Sequence, residues 1–264
     1  MSLCEPSATR DSILGGRLTI IQPARGYRFN LDALLLAYFA RPRRGDRVLE
    51  LGAGCGVVAA AVARLHRPRA VTALELQEEM VELIRRNAEL NQLPSLIAVG
   101  ADLRSPPSAG LARASFDYVV ANPPYRALGH GRPSPHVGRY RARAEIDAGL
   151  EDFIEAAARY VTDHGRVAFI FSATRAVELI DGLRRRALEP KRLRLVHPYA
   201  EAAATAILIE ARKQGRAAAL IEPPLVVWEK PRRYTAEAAR IIGGDWQLNQ
   251  GLKPSRLNHL GRRP

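Results

Sequence analysis

The chain of 264 residues, 47% of them hydrophobic, is long enough to form one large domain with a substantial core. Its formal net charge of +13 favours a polyanionic partner, and nucleic acid is the usual one. The alternative is a proteome rich in arginine, but such a bias would replace lysine by arginine without adding net charge. No apolar stretch approaches the roughly 20 residues that cross a bilayer, so we expect no membrane contact.

The cysteine and histidine content argues against covalent or metal cross-links. Cys4 and Cys55 cannot form a disulfide framework, and the six histidines have no metal-ligand spacing with them. The first 11 residues are polar and contain no apolar signal region. We therefore expect a cytoplasmic protein with no structural metal, and no obligate protein partner is evident.

A hairpin and a helix are predicted ahead of the main domain. Residues 17–22 predict a strand, and residues 27–29 its returning partner. Asn30 is placed to cap a helix through about Ala40, with Asp32 in its first turn, where a carboxylate suits the helix dipole. We divide the chain into three parts. The lead-in is residues 1–45, the main α/β domain is residues 46–215, and a basic extension packed on or trailing that domain is residues 216–264.

A glycine-rich turn follows the first predicted core strand, residues 46–51. Gly52, Gly54 and Gly56 stand between this strand and a helix, an arrangement typical of nucleotide binding. Their Gly-x-Gly-x-Gly spacing differs from the dinucleotide-binding pattern. Glu50 would repel a pyrophosphate and attract a cation, which points away from NAD and towards S-adenosylmethionine, because that molecule carries an ammonium and a sulfonium.

Two further acidic residues end the next two predicted strands. Residues 70–74 lead into Glu75, at a position suited to ribose hydroxyls, and residues 96–99 lead to Asp102, which could accept from an adenine amino group. Each acid alone could equally be a helix cap or a solvated strand end. Ligands bind at the carboxyl ends of parallel strands, however, and all three acids are predicted to lie there.

A rigid, acceptor-rich turn ends the fourth predicted strand, residues 116–121. This turn is Asn122-Pro123-Pro124-Tyr125, in which two prolines fix the backbone and leave carbonyls as acceptors without N–H donors. The asparagine adds a side-chain oxygen and the tyrosine a flat ring. Rigid acceptors beside an aromatic face suit a planar group carrying an –NH₂, whereas the alternative is a proline-rich turn that only closes a strand.

The next segment, residues 126–143, has no acidic residue and no recognisable secondary structure. Basic and aromatic residues beside a candidate site suit phosphate contacts and base stacking, although a solvated loop is the alternative. We expect nucleic-acid contacts from Arg126, Arg132, Arg139, Arg141 and Arg143.

The remaining periodic segments complete an α/β fold. They predict helices over residues 77–91, 150–161 and 174–188, and strands over 165–171, 193–197 and 204–211, the last two forming an antiparallel hairpin at the sheet edge. We therefore predict a Rossmann-like, seven-stranded, mostly parallel sheet with helices on both faces.

With these motifs in this order, the chain resembles the class I S-adenosylmethionine-dependent methyltransferases. Within them it is similar to the small-domain group that methylates exocyclic amino nitrogens, and most of all to the bacterial enzymes that act on adenine N6 in a valine tRNA. The resemblance covers roughly residues 12–240. It is carried by residues 27–36, Glu50 to Gly56, Glu75-Leu76, Asp102, Asn122 to Tyr125, and Tyr234-Thr235.

The resemblance implies a site and a substrate. It implies that S-adenosylmethionine is the cofactor and RNA, tRNA above all, the substrate. Catalysis would fall to Asn122, Pro123, Pro124 and Tyr125. The cofactor would contact Glu50, Gly52, Gly54, Gly56, Glu75, Leu76, Asp102, Leu103 and Asn122, and Asp32 would close over it.

The Asn-Pro-Pro-Tyr box specifies the amine and not the substrate. It also occurs in DNA adenine-N6, rRNA guanine-N2 and release-factor glutamine methyltransferases. The short lead-in leaves little room for the helical domain of the release-factor enzymes, and no target-recognition domain of a DNA enzyme is visible. Methylation of rRNA at adenine N6 or guanine N2, methylation of a protein glutamine, and a non-catalytic RNA-binding protein remain the alternatives.

Overall fold

A computed structural model describes residues 8–24, 29–105, 111–125 and 148–245. The strands are β1 Ala8–Ile13, β2 Leu18–Pro23, β3 Arg47–Leu51, β4 Ala70–Glu75, β5 Leu96–Gly100, β6 Phe116–Ala121, β7 Val161–Ser172, β8 Leu188–His197, β9 Ala206–Lys213, β10 Leu220–Ile221, β11 Leu225–Val226, β12 Trp228–Lys230 and β13 Arg233–Tyr234. The helices are α1 Leu31–Phe39, α2 Val57–His66, α3 Glu78–Leu90, α4 Leu150–Tyr160, α5 Ala176–Arg185 and α6 Ala236–Ile242. Among these residues, no helix has the length and apolar character to cross a membrane.

The central sheet has the strand order β5-β4-β3-β6-β7-β9-β8, with β10 and β11 on the outer edge of β8. Every neighbouring pair is parallel except those of β9, which runs antiparallel to β7 and β8. Buried apolar residues divide between two clusters, one containing α1 and α2 and the other α4 and α5, so helices cover both faces. The predicted Rossmann-like, mostly parallel sheet with helices on both faces is confirmed.

The register of the parallel strands aligns the loops at one edge of this sheet. Leu51, the last residue of β3, lies opposite Ala121 of β6 on one side and opposite Leu74 of β4 on the other. Glu75 in turn lies opposite Gly100 of β5. The glycine-rich turn, the two acidic strand ends and the Asn-Pro-Pro-Tyr turn therefore leave the sheet side by side.

Among the described residues, the predicted hairpin of residues 17–22 with 27–29 is not found at Phe29, and β2 pairs with the preceding strand β1. The turn between them contains Gly15 and Gly16, both at left-handed φ angles. Phe29 is not in a strand, and residues 25–28 lie outside the described ranges. The sequence did not reveal β1 because its exposure alternates between exposed and half-buried, without the buried apolar residues that normally indicate a strand.

Two asparagines of α3 attach this hairpin to the main domain. The Asn87 side-chain oxygen accepts from the N–H of Ile21 at 2.7 Å, and its NH₂ donates to the carbonyls of Ile21 and Cys55, each at 2.9 Å. The Asn91 amide makes the same pair of bonds with Thr19, each at 2.8 Å. The two amides, one helical turn apart, thus satisfy β2 as a neighbouring strand would, and Asn87 also holds the glycine-rich turn at Cys55.

The predicted antiparallel hairpin of the two closing strands at the sheet edge is present, since β8 and β9 pair antiparallel. The sequence did not indicate which strand is the inner one, and the structure inserts β9 between β7 and β8. The outer edge of β8 is then covered by β10 and β11. Hydrophobic periodicity indicates that a strand exists but not which strand it pairs with, and two-residue strands such as β10 and β11 are too short to show a period.

The chain after β9 contributes to the same core as the lead-in helix. Leu225, Val227 and Ile241 are buried in the cluster that contains α1 and α2. After Tyr234 the chain forms α6, capped by Thr235, whose hydroxyl accepts from the Ala238 N–H at 3.2 Å. The predicted cap of α1 is also present, since the Asn30 oxygen accepts from the Asp32 N–H at 3.1 Å.

Candidate functional site

The glycine-rich turn requires glycine at all three positions, for two different reasons. Gly52, Gly54 and Gly56 have φ angles of 63°, 55° and 81°, a left-handed region that other residues rarely adopt. A Cβ on Gly52 would come within 2.9 Å of Phe153, and one on Gly56 within 3.0 Å of Ile84. A Cβ on Gly54, by contrast, would have no other described residue within 4 Å apart from its chain neighbours. The turn thus packs tightly at its ends and leaves open space at its centre, as a ligand lying against the backbone would need.

Glu75 ties the end of β4 to this turn. One carboxylate oxygen accepts from the Gly54 N–H at 2.8 Å, and the other accepts from the N–H groups of Leu76 and Gln77 at 2.9 and 3.0 Å. A carboxylate has about four acceptor positions, so three are used and one remains. Glu75 is therefore fixed in place and can still accept one hydroxyl, while its contact with a ribose stays a prediction.

Glu50 differs in character from what the sequence led us to expect. Its side chain is 3% exposed, and one carboxylate oxygen accepts from the Ala59 N–H in the first turn of α2 at 2.8 Å. Burial, assisted by the nearby Glu75 charge and opposed by the Ala59 hydrogen bond, raises the pKa of Glu50 to about 8. The carboxyl group is thus mostly protonated and neutral at pH 7. Glu50 would therefore attract a cation by its charge only after a bound cation had lowered its pKa and caused it to lose the proton.

The third acid, Asp102, is held by its own neighbour. The Arg104 guanidinium donates to both carboxylate oxygens, with its Nε 3.0 Å from Oδ1 and its Nη2 2.5 Å from Oδ2, and its backbone N–H adds a bond of 2.9 Å. These bonds lower the pKa of Asp102 below its usual value. Leu103 is buried, so only its backbone could reach a ligand, while Leu76 is 51% exposed at the same edge.

The Asn-Pro-Pro-Tyr turn begins where β6 ends. Pro123 is buried, Pro124 is exposed, and Asn122 is partly buried. No hydrogen bond within the described ranges uses the Asn122 side chain, so its oxygen and NH₂ are available to a ligand. Because Leu51 and Ala121 are paired, Gly52 and Asn122 leave the sheet as neighbours.

Tyr125 is oriented by contacts that the sequence did not predict. Its hydroxyl donates to Asp32 Oδ2 at 2.7 Å, which joins the lead-in helix to the turn. Its ring meets Phe171 edge-to-face, with centroids 5.5 Å apart and planes at 81°. Arg175 lies over the Phe171 ring at 4.8 Å and donates to the Tyr125 carbonyl at 3.4 Å. Phe171 is the next-to-last residue of β7 and Arg175 follows that strand, and only their position at the same sheet edge could have singled them out.

The basic segment after the turn is not part of the described structure. Residues 126–147 lie outside the described ranges. The contacts expected of Arg126, Arg132, Arg139, Arg141 and Arg143 therefore stay predictions.

The fold and this edge together define a class. A mostly parallel sheet with one antiparallel strand inserted before its last core strand, a glycine-rich turn after the first core strand and acids after the next two are the architecture of class I methyltransferases. The sequence model of the methyltransferase small domain family matches residues 31–185, and the chain belongs to this family. It is accordingly an S-adenosylmethionine-dependent methyltransferase.

Relatives and solved structures agree with this assignment. A protein of Glaesserella parasuis named tRNA1(Val) (adenine(37)-N6)-methyltransferase is 29% identical over 154 residues, which cover 58% of this chain and only 63% of that protein. One of the same name from Actinobacillus pleuropneumoniae is 26% identical over 227 residues, covering 84% of this chain and 91% of the relative. The crystal structure of a predicted O-methyltransferase from Agrobacterium tumefaciens superposes with a TM-score of 0.64 at 26% identity, covering 80% of this chain and 95% of that one.

The raised pKa of Glu50 predicts a pH-dependent stability. Between about pH 4.5, the ordinary value, and about pH 8, the folded chain holds a proton that the unfolded chain has lost. The free energy of unfolding should therefore fall as pH rises through this window. Glu50→Gln stays neutral at every pH and lacks the effect. Urea unfolding from about pH 5 to about pH 9 should therefore show the free energy of unfolding of the variant rising relative to that of the wild type by on the order of a few kcal/mol. A constant difference across that range would contradict the assignment.

Proposed function

We propose that this chain transfers the methyl group of S-adenosylmethionine to the exocyclic N6 amino group of an adenine in tRNA. The observation that carries the proposal is the exit of Asn122, with its side-chain amide available, directly beside the glycine-rich turn. The two relatives named as tRNA adenine-N6 methyltransferases support the choice of base and of RNA. The net charge of +13 supports a polyanionic substrate.

The described residues fit the cofactor. Open space beside Gly54 suits a ligand lying against the turn, and the spare acceptor of Glu75 suits a ribose hydroxyl. The exposed side chain of Leu76 offers an apolar flank for the adenine ring. Glu50, next to the turn, would ionise when the cationic methionine end is bound. When bound, S-adenosylmethionine supplies a methyl group on a positively charged sulfur.

The Asn-Pro-Pro-Tyr turn would prepare the amine. A base extruded from its stack could bring its –NH₂ to the Asn122 side-chain oxygen and the Pro123 carbonyl. Two acceptors on one –NH₂ align both hydrogens and leave the nitrogen lone pair facing the cofactor side. As the bond between N6 and the methyl carbon forms, the sulfur–methyl bond would break with its electron pair left on sulfur, and N6 would then release one proton to water. Catalysis then consists mainly of positioning, which supplies on the order of 7–11 kcal/mol in well-oriented reactions, and no general base with a shifted pKa is needed.

Asp32 and Phe171 would serve this step by orienting Tyr125. The tyrosine ring is the surface on which the extruded base would stack, and it is fixed at its hydroxyl by Asp32 and at its edge by Phe171. We therefore assign Asp32 a positioning role through Tyr125, in addition to the closure over the cofactor that the resemblance implies. The arginines of residues 126–143 would contact the RNA phosphates.

The first test compares two substitutions of Asn122. Asn122→Ala removes the acceptor and should lower kcat by about 100-fold or more, while the Kd for S-adenosylmethionine stays nearly unchanged. Asn122→Asp keeps acceptor oxygens in the same place and should retain part of the activity. Transfer of radiolabelled methyl groups onto unfractionated tRNA, rRNA and a release factor, followed by nucleoside analysis, provides the measurement.

The account predicts N6-methyladenosine in the tRNA fraction. Label in rRNA, or on a glutamine of the release factor, would show that the substrate is one of these alternatives and not tRNA. Normal turnover by Asn122→Ala would contradict the mechanism itself. Failure of the wild type to bind S-adenosylmethionine at millimolar concentration would favour a non-catalytic protein.

A second prediction concerns the competition for Asp102. If its carboxylate accepts from the adenine amino group of the cofactor, Arg104 must give up at least one of its bonds. The Asp102–Arg104 pair is partly exposed, and ion pairs at protein surfaces contribute roughly 0.2–1 kcal/mol, so Arg104→Ala should tighten cofactor binding about twofold to fivefold. Arg85→Ala, which breaks an exposed pair on α3, is the matched control and should leave the Kd unchanged. Weaker binding by Arg104→Ala in calorimetric titration would show that Asp102 does not take this role.

A further inference from the structure

A short hairpin beyond the family's matched residues presents an aromatic pair to solvent. Trp228 in β12 and Tyr234 in β13 stack with ring centroids 4.0 Å apart and planes at 16°. The residue Tyr234 is 37% exposed, and Trp228 is partly buried against the core. Trp228 covers one face of the tyrosine ring, so the exposed part of Tyr234 is directed away from the core. We call residues 228–234 the aromatic hairpin.

The aromatic hairpin lies at the same sheet edge as the candidate site. The strand before it, β11, runs parallel to the end of β8, where Leu225 pairs with Val196. The Trp228 N–H donates to the carbonyl of Pro198, directly after β8, at 2.8 Å. Since β8 runs parallel to β6, both strands end at the carboxyl edge. Four strand spacings separate β11 from β6, which at about 4.8 Å each is roughly 19 Å.

The turn of the aromatic hairpin is positively charged. It carries Lys230, Arg232 and Arg233, all exposed. Arg233 is paired with Glu229 at 3.0 Å, whereas within the described ranges no carboxylate lies within ion-pair distance of Lys230 or Arg232. Two positive charges next to an exposed ring therefore face solvent without neutralisation from the chain itself.

We propose that the aromatic hairpin holds an unpaired nucleotide of the RNA substrate, with its base stacked on Tyr234 and its phosphates on Lys230 and Arg232. This inference rests on the proposed function, because it extends the same site along the sheet edge. Aromatic faces combined with unpaired positive charges suit single-stranded nucleic acid, since every base offers a flat face and every linkage a negative charge. An acidic peptide would use the charges but not the flat ring.

Binding of fluorescently labelled, unfractionated tRNA to the full chain tests this inference. Tyr234→Leu removes the flat surface and should weaken binding about tenfold, whereas Tyr234→Phe keeps the surface and should bind as the wild type does. Lys230→Ala/Arg232→Ala should weaken binding and reduce the slope of log K against log salt by about 1.4, because two phosphate contacts are lost. Arg43→Ala/Arg44→Ala removes two exposed charges before β3, at the opposite sheet edge, and controls for net charge.

The outcomes separate the hairpin from the proposed function. If the wild type binds and methylates tRNA but the hairpin variants match it in affinity and salt slope, the hairpin proposal is wrong and the proposed function stands. Equal losses for the Arg43/Arg44 control would also overturn it, since net charge would then explain the effect. Preferential binding of an acidic peptide by the wild type, abolished in Lys230→Ala/Arg232→Ala, would replace RNA by a protein partner. Unchanged thermal melting and unchanged S-adenosylmethionine affinity establish that each variant is folded.

Discussion

The parallel pairing of β3 with β6 is the constraint on which the candidate site depends. Because Leu51 lies opposite Ala121, the next residue of each strand, Gly52 and Asn122, leaves the sheet about one strand spacing from the other, roughly 4.8 Å. On the other side of β3, Leu51 lies opposite Leu74, which brings Glu75 to the same turn. A methyl donor lying on the turn and an amine held by Asn122 are then neighbours without any further element between them.

The polar groups at this edge are organised before a ligand binds. Glu75 accepts a hydrogen bond from the Gly54 N–H, and the Asn87 side chain donates one to the Cys55 carbonyl. The buried Glu50 accepts one from a backbone N–H in the first turn of α2. Each acid or amide thereby satisfies a backbone group that would otherwise be costly to bury. The glycine-rich turn is thus rigid from several sides while its centre at Gly54 stays open. A preformed site of this kind loses little conformational freedom on binding.

The sequence revealed the parts of the site that are local and missed those that join distant segments. The glycine-rich turn and the Asn-Pro-Pro-Tyr turn were found because left-handed glycines and paired prolines restrict the backbone within a few residues. The contact of Tyr125 with Asp32 spans 93 residues, and no local pattern announces it. The ion pair between Asp102 and Arg104 joins residues only two positions apart, but whether it forms depends on the side-chain rotamers, which the sequence does not specify. The insertion of β9 between β7 and β8 depends on which strands pair with each other, and hydrophobic periodicity carries no information about that.

The adjacency of the cofactor and amine sites is tested most directly with a bisubstrate compound. Such a compound joins the N6 nitrogen of adenosine by a short alkyl chain to the position of the transferable methyl group in an S-adenosylmethionine analogue. If Gly52 and Asn122 bring the two sites together, it should bind about 100-fold tighter than S-adenosylhomocysteine, because the second group binds intramolecularly. The gain should disappear in Asn122→Ala. An affinity equal to that of S-adenosylhomocysteine in the wild type would contradict the account.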